Sequence, residues 1–112
     1  MSTNWIEIGV LDDIPKLGAR VVETHDGNIA VFRTGNDDLY AIRDECPHKQ
    51  GPLSQGIVSG NRVACPLHDW KINLESGNAI APDEGCVATY PVKLEGDRIL
   101  LSTTANEGCP NG

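Results

Sequence analysis

Cys46-Pro47-His48 and Cys65-Pro66-Leu67-His68 place one thiol and one imidazole in each of two short segments, with 16 residues between His48 and Cys65. If the four side chains serve one site, the chain between them must leave and return, and this constrains the fold more than any other feature. Pro47 and Pro66 each follow a Cys, and Gly51-Pro52 follows the first pair. Both segments therefore read as rigid, non-regular turns between strands. A hairpin of Gly56 to Ser59 and Arg62 to Ala64, turning at Gly60-Asn61, brings the second loop back beside the first.

Three readings fit two thiolates and two imidazoles. A tetrahedral zinc site uses the same donors, but its usual spacing pairs Cys with Cys and His with His. A 2Fe-2S cluster of the Rieske type has two His in place of two Cys on one iron, which removes negative charge and raises the reduction potential. The third reading is four unrelated side chains. Each half of this pattern mixes Cys with His, and that favours the iron–sulfur reading. Cys46 and Cys65 would be thiolate ligands of one iron, with His48 and His68 as neutral imidazole ligands of the other. A zinc-stabilised domain without a redox role stays open on the residues alone.

Composition agrees with a small β protein. At 112 residues the chain supports one domain with a modest core. Five aromatic residues, 12 Gly and 7 Pro favour short strands and tight turns over long helices. A net charge of −7 argues against nucleic acid or an anionic membrane as partner. An acidic carrier is suited to a basic patch on another protein. The N-terminal residues lack the charged and apolar regions of a signal peptide, and no apolar run reaches 18 residues, so a cytoplasmic location is expected.

In a reducing compartment the four cysteines are ligands or free thiols rather than disulfides. Cys86 reads as a small buried hydrophobe and Cys109 as an exposed, idle thiol. His25 reads as a solvated turn residue. Trp70 either packs over the ligand loops or is a plain core residue, and Lys49, beside His48, is either a docking charge or a solvated side chain. No nucleophile–base pair, phosphate-binding Gly loop or nicotinamide fingerprint is present. Catalytic residues are therefore expected to be none in this chain.

Strand-like runs recur at short spacing between turn signals. They are Trp5 to Val10, Ala19 to Thr24, Asn28 to Arg33 and Leu39 to Arg43, then the hairpin between the ligand loops, followed by Lys71 to Asn73, Asn78 to Ile80, Val87 to Val92 and Arg98 to Leu101. Asp26-Gly27 signals a tight hairpin. The expected fold is all-β: an antiparallel sandwich or barrel with a small cluster-binding subdomain at one end. The domain is expected over 4–102, with the cluster-binding part at about 44–72 and a flexible tail at 103–112.

The chain as a whole resembles Rieske 2Fe-2S domain proteins, and more narrowly the small subunits of bacterial assimilatory NAD(P)H-dependent nitrite reductases. The resemblance runs from about Trp5 to Leu101. It is most specific in Cys46 to Gly56, in Cys65 to Trp70, and in Pro82-Asp83-Glu84-Gly85-Cys86-Val87-Ala88-Thr89-Tyr90-Pro91-Val92, the stretch that separates this family from generic Rieske ferredoxins. It implies a large partner subunit carrying FAD, a 4Fe-4S cluster and sirohaem, which reduces nitrite to ammonium. This chain would be the non-catalytic electron-transfer subunit of that oxidoreductase. The rival is a free Rieske ferredoxin serving an aromatic-ring dioxygenase, with the same fold and ligands.

Compared with the high-potential Rieske proteins of respiratory complexes, the resemblance puts Gly51 and Leu67 where those proteins carry an extra disulfide. It puts Trp70 and Ile72 where they carry hydroxyl donors to the cluster. Fewer donors leave the reduced cluster less stabilised. The expected potential lies at the low end of the Rieske range, about −150 mV.

Overall fold

The fold is built from antiparallel strands that change partner at a proline. The computed structural model describes residues 5–25, 27–45, 52–65, 70–80 and 85–106. In chain order the strands are β1 (Trp5–Val10), β2 (Ala19–Thr24), β3 (Gly27–Arg33), β4 (Leu39–Arg43) and β5 (Ile57–Ser59). They continue with β6 (Arg62–Ala64), β7 (Lys71–Asn73), β8 (Thr89–Tyr90), β9 (Val92–Glu95) and β10 (Arg98–Ser102). Three sheets result, in the orders β1-β10-β9, β2-β3-β4-β8 and β5-β6-β7. Helix among the described residues is confined to two 3₁₀ turns, Leu11–Asp13 and Leu53–Gln55. The all-β expectation is met.

Strand β3 explains how one small chain supports two cores. Its run Ile29-Ala30-Val31-Phe32 is apolar without alternation, and every one of these residues is buried. Strand side chains alternate between faces, so Ile29 and Val31 enter one core with Ile8, Ile99 and Leu101. Ala30 and Phe32 enter the other with Leu53, Val58, Val63 and Ile72. The four-stranded sheet is thus sandwiched between the terminal sheet and the small β5-β6-β7 sheet. The second core is the one that carries the candidate site.

Two of the strands expected from the sequence take a different form. The run from Val87 to Val92 is divided at Pro91, which has no N–H to give a ladder. Tyr90 pairs with Ala41 in the four-stranded sheet, whereas Val92 pairs with Leu101 in the terminal one. The Pro91 carbonyl meanwhile accepts the Ser102 N–H at 3.0 Å. The run Asn78 to Ile80 makes only isolated bridges, Ile72 to Ala79 and Asn78 to Cys86. Gly77 turns there with φ +79°, and a Cβ on it would strike the Val87 carbonyl.

A buried arginine fixes the start of the chain. Arg33, 9% exposed, donates from Nη1 to the carbonyls of Leu11 (3.1 Å) and Ile14 (2.8 Å) and from Nε to Asp37 Oδ1 (2.9 Å). It thereby ties the 3₁₀ turn after β1 to the end of β3. Beyond β10, Asn106 donates its backbone N–H to the Thr89 carbonyl (2.8 Å) and its amide to Thr89 Oγ1 (3.1 Å).

Candidate metal centre

The first candidate ligand segment leaves the end of β4. The β3–β4 pairing continues one step past the strand, because the Asp44 N–H reaches the Asn28 carbonyl at 2.9 Å, and Arg43 N–H reaches Ala88 O at 2.9 Å. Cys46 follows two residues later. On the far side of the segment, Leu53 is fully buried and opens the second 3₁₀ turn, which Gly56 N–H closes onto the Leu53 carbonyl at 2.9 Å. The two sides are joined by one carboxylate. Asp44, 8% exposed, accepts the Ser54 backbone N–H on Oδ1 (2.7 Å) and the Ser54 hydroxyl on Oδ2 (2.8 Å). Nothing in the ligand spacing pointed to this pair.

The second segment is closed by the backbone. Strand β6 ends at Ala64, and Cys65 N–H then donates to the Trp70 carbonyl at 2.6 Å, immediately before β7 begins. The hairpin between the segments is the expected one: Ile57 pairs with Ala64, Val58 with Val63 and Ser59 with Arg62. Gly56 permits the close approach at its base, since a Cβ there would collide with the Ala64 carbonyl and with Val63.

Of the four proposed ligands, Cys65 is within the described residues, while Cys46, His48 and His68 lie outside them. Cys65 is a free thiol, 2% exposed, and belongs to the second core with Val63 and Ile72. A free thiol held there by a backbone clamp, at the end of a strand, fits a thiolate ligand shielded from water. Among the described residues no group of three or more His, Cys, Asp or Glu is gathered, and with three of the four donors outside them that is the arithmetic of the segments.

Trp70 is half-buried and packs against the second core, and Ile72 is fully buried within it. Neither position carries a hydroxyl. His25 is exposed in its turn. Cys86 departs from the sequence expectation: it is half-buried and disulfide-bonded rather than a small buried thiol. The phenol of Tyr40, packed on the same core, is raised above its ordinary pKa by burial and then by the charges of Asp38 and Glu75. No helix among the described residues is long and apolar enough to cross a membrane.

Comparison with known proteins places this geometry. Residues 4–102 match the model of the Rieske-like [2Fe-2S] domain. The ferredoxin component of the naphthalene 1,2-dioxygenase/salicylate 5-hydroxylase systems of Ralstonia sp. is 33% identical over 102 residues, covering 90% of this chain and 97% of the relative. The fold matches a structure of the complex of oxygenase and ferredoxin in carbazole 1,9a-dioxygenase with a TM-score of 0.85, at 23% identity, over 96% of this chain and 100% of that one. It also matches a candidate NADH-dependent nitrite reductase small subunit from Mycobacterium tuberculosis with a TM-score of 0.83, at 20% identity, over 95% and 100% of the two chains. The chain belongs to the Rieske-like [2Fe-2S] domain family, and it is an electron-transfer domain of oxidoreductase systems built around a Rieske-type cluster.

Proposed function

We propose that the chain is the electron-transferring small subunit of an assimilatory NAD(P)H-dependent nitrite reductase, with Cys46, His48, Cys65 and His68 as the cluster ligands. The observation that carries this reading is the stretch from Pro82 to Val92, which follows the ligand loops with the sequence Pro-Asp-Glu-Gly-Cys-Val-Ala-Thr-Tyr-Pro-Val. Its described part packs on the core that holds Cys65: Val87 belongs to that core, Cys86 bridges to Asn78, and Val87 N–H reaches the Gly77 carbonyl at 2.9 Å.

The cluster supplies one-electron transfer. The chain's own residues do the rest. The Asp44–Ser54 and Cys65–Trp70 contacts hold the ends of the two ligand segments at fixed separation, and Leu53, Val63 and Ile72 exclude water beneath them. A ligand frame that does not relax keeps reorganisation small when the charge changes. A lone one-electron centre cannot accumulate the electrons that nitrite reduction needs, so catalysis belongs to a large subunit carrying FAD, sirohaem and a 4Fe-4S cluster.

A second reading, a free Rieske ferredoxin that supplies an aromatic-ring dioxygenase, is favoured by the 33% identity to such a ferredoxin component over nearly its whole length. The two differ in how tightly the partner is held. Transient redox partners often bury less than about 1,200 Å², whereas a permanent subunit buries more. Co-expression with the flavin–sirohaem subunit, size exclusion and a nitrite-dependent NAD(P)H oxidation assay with and without this chain decide between them. Co-elution and dependence of the rate on this chain support the first reading. Separate elution at micromolar concentration with no effect on the rate overturns it.

A further inference from the structure

The outer face of the β5-β6-β7 sheet combines two cations with an exposed apolar side chain and carries no carboxylate, in a chain whose net charge is −7. Registers align Ile57 with Ala64 and Lys71 in one row, and Ser59 with Arg62 and Asn73 in the next. Because Val58, Val63 and Ile72 point into the second core, these six side chains project from the other side. Five of them, Ile57, Ser59, Arg62, Ala64 and Lys71, line one shallow groove. Ile57 is 76% exposed, more than any other large hydrophobic residue among those described.

The cations in this face are unusual within the chain. Of the eight described Lys and Arg, five sit in ion pairs with Asp or Glu, and Arg43 lies over the Tyr90 ring. Arg62 and Lys71 have neither, although the chain carries 16 acidic residues and a net charge of −7. No carboxylate shares the six-residue face. The face also flanks the second candidate ligand segment in the chain, since Ala64 precedes Cys65 and Lys71 follows Trp70, the two residues whose backbones close that segment.

From this juxtaposition we infer that the outer face of β5-β6-β7 is the docking surface for an electron-transfer protein that presents carboxylates around an apolar hollow. Arg62 and Lys71 would meet the carboxylates and Ile57 would fill the hollow, with Ser59 and Ala64 small enough to let the surfaces close. Complementary charge steers encounter and register, and a buried apolar anchor prolongs the complex. The charge of this face is thus opposite in sign to the net charge, which pointed to a basic partner.

This inference rests on the electron-transfer reading above, and its test is independent of which partner is correct. The reduced holoprotein is mixed by stopped flow with hexacyanoferrate(III), a trianion that accepts one electron and becomes hexacyanoferrate(II). The unmodified protein is expected to react more slowly as salt is raised. Arg62→Glu with Lys71→Glu should lower the low-salt rate roughly tenfold, in line with steering effects, and the two proteins should converge at high salt, where charges are screened. Arg62→Gln with Lys71→Gln should fall between them. Iron content and the EPR signal are compared to confirm that each variant holds its cluster. A rate that rises with salt in the unmodified protein, or that is the same in all three proteins, overturns the inference. With the flavin–sirohaem subunit as acceptor, Ile57→Ser should slow transfer several-fold while leaving the hexacyanoferrate rate unchanged; equal rates with the subunit contradict the apolar anchor. If the subunit takes no electrons from the unmodified chain, the nitrite reductase reading falls, and the hexacyanoferrate series still decides the charged face.

Discussion

Asp44 and Ser54 stand on opposite sides of the first ligand segment, and one carboxylate takes both the backbone N–H and the hydroxyl of the serine, at 2.7 and 2.8 Å. The nine residues between them include Cys46 and His48, so this pair sets where that segment begins and ends. Ser54→Ala removes one hydrogen bond to a buried carboxylate and is expected to destabilise the apoprotein by about 1–2 kcal/mol; Asp44→Ala strips both acceptors and should cost about 2–3 kcal/mol. Urea midpoints measure the loss. In the holoprotein both variants should release iron to a chelator faster than the unmodified chain, with Asp44→Ala the faster of the two.

Gly56 tests the closure of the cluster hairpin. A methyl group there runs into the Ala64 carbonyl and Val63, at the step before Cys65. Gly56→Ala should therefore cost about 1–3 kcal/mol through overpacking, and it should also speed loss of the cluster, because the backbone it displaces is the one that holds Cys65. The same substitution at Gly60, where a Cβ meets nothing within 4 Å, serves as the comparison. Gly60 has φ +60°, so its Ala variant reports backbone strain without a clash.

The Arg33 lock lies elsewhere and should behave differently. Lys in its place keeps the charge but loses the planar fork that spans Leu11, Ile14 and Asp37. Arg33→Lys is expected to lower stability by about 1–3 kcal/mol with no change in the reduction potential. Denaturation and a redox titration of the same variant separate the two effects.

The reduction potential follows from what surrounds the site. Ile72 is fully buried and Trp70 packs on the same core, so neither position offers a hydroxyl to the cluster. A midpoint near the low end of the Rieske range, about −150 mV, is expected. Replacing Ile72 with Thr should raise the midpoint if a hydroxyl there reaches the cluster. A midpoint of the unmodified protein clearly above zero contradicts the low-potential assignment.

Much of the fold was legible because strand signals were local. The alternation of Val58 and Val63 against Ile57 and Arg62, and the turn at Gly60-Asn61, define the cluster hairpin within eight residues. The apolar run of β3 marked a strand, although only the packing shows that it serves two cores. The run from Val87 to Val92 reads as one strand because its two halves are equally β-prone; Pro91 signals the break only once each half has a different partner. Asn78 to Ile80 makes isolated bridges where a strand is expected, because a turn signal at Gly77 does not say how many ladder bonds follow. At the site, the candidate ligands are legible from chemistry, since each segment pairs a thiol with an imidazole. Asp44 and Ser54 are not, since an acidic residue and a serine ten positions apart have no periodicity that links them, and the half-buried, disulfide-bonded Cys86 looked from its neighbours like a plain core thiol.

The central claim is that Cys46, His48, Cys65 and His68 hold a Rieske 2Fe-2S cluster, and pulsed EPR of the reduced, purified protein tests it most directly. The account predicts a rhombic signal, two irons and two sulfides per chain as that cluster requires, and hyperfine coupling to two histidine nitrogens. One of those couplings should disappear in His48→Cys and the other in His68→Cys. A colourless, zinc-loaded protein, or a reduced cluster without nitrogen coupling, would contradict it.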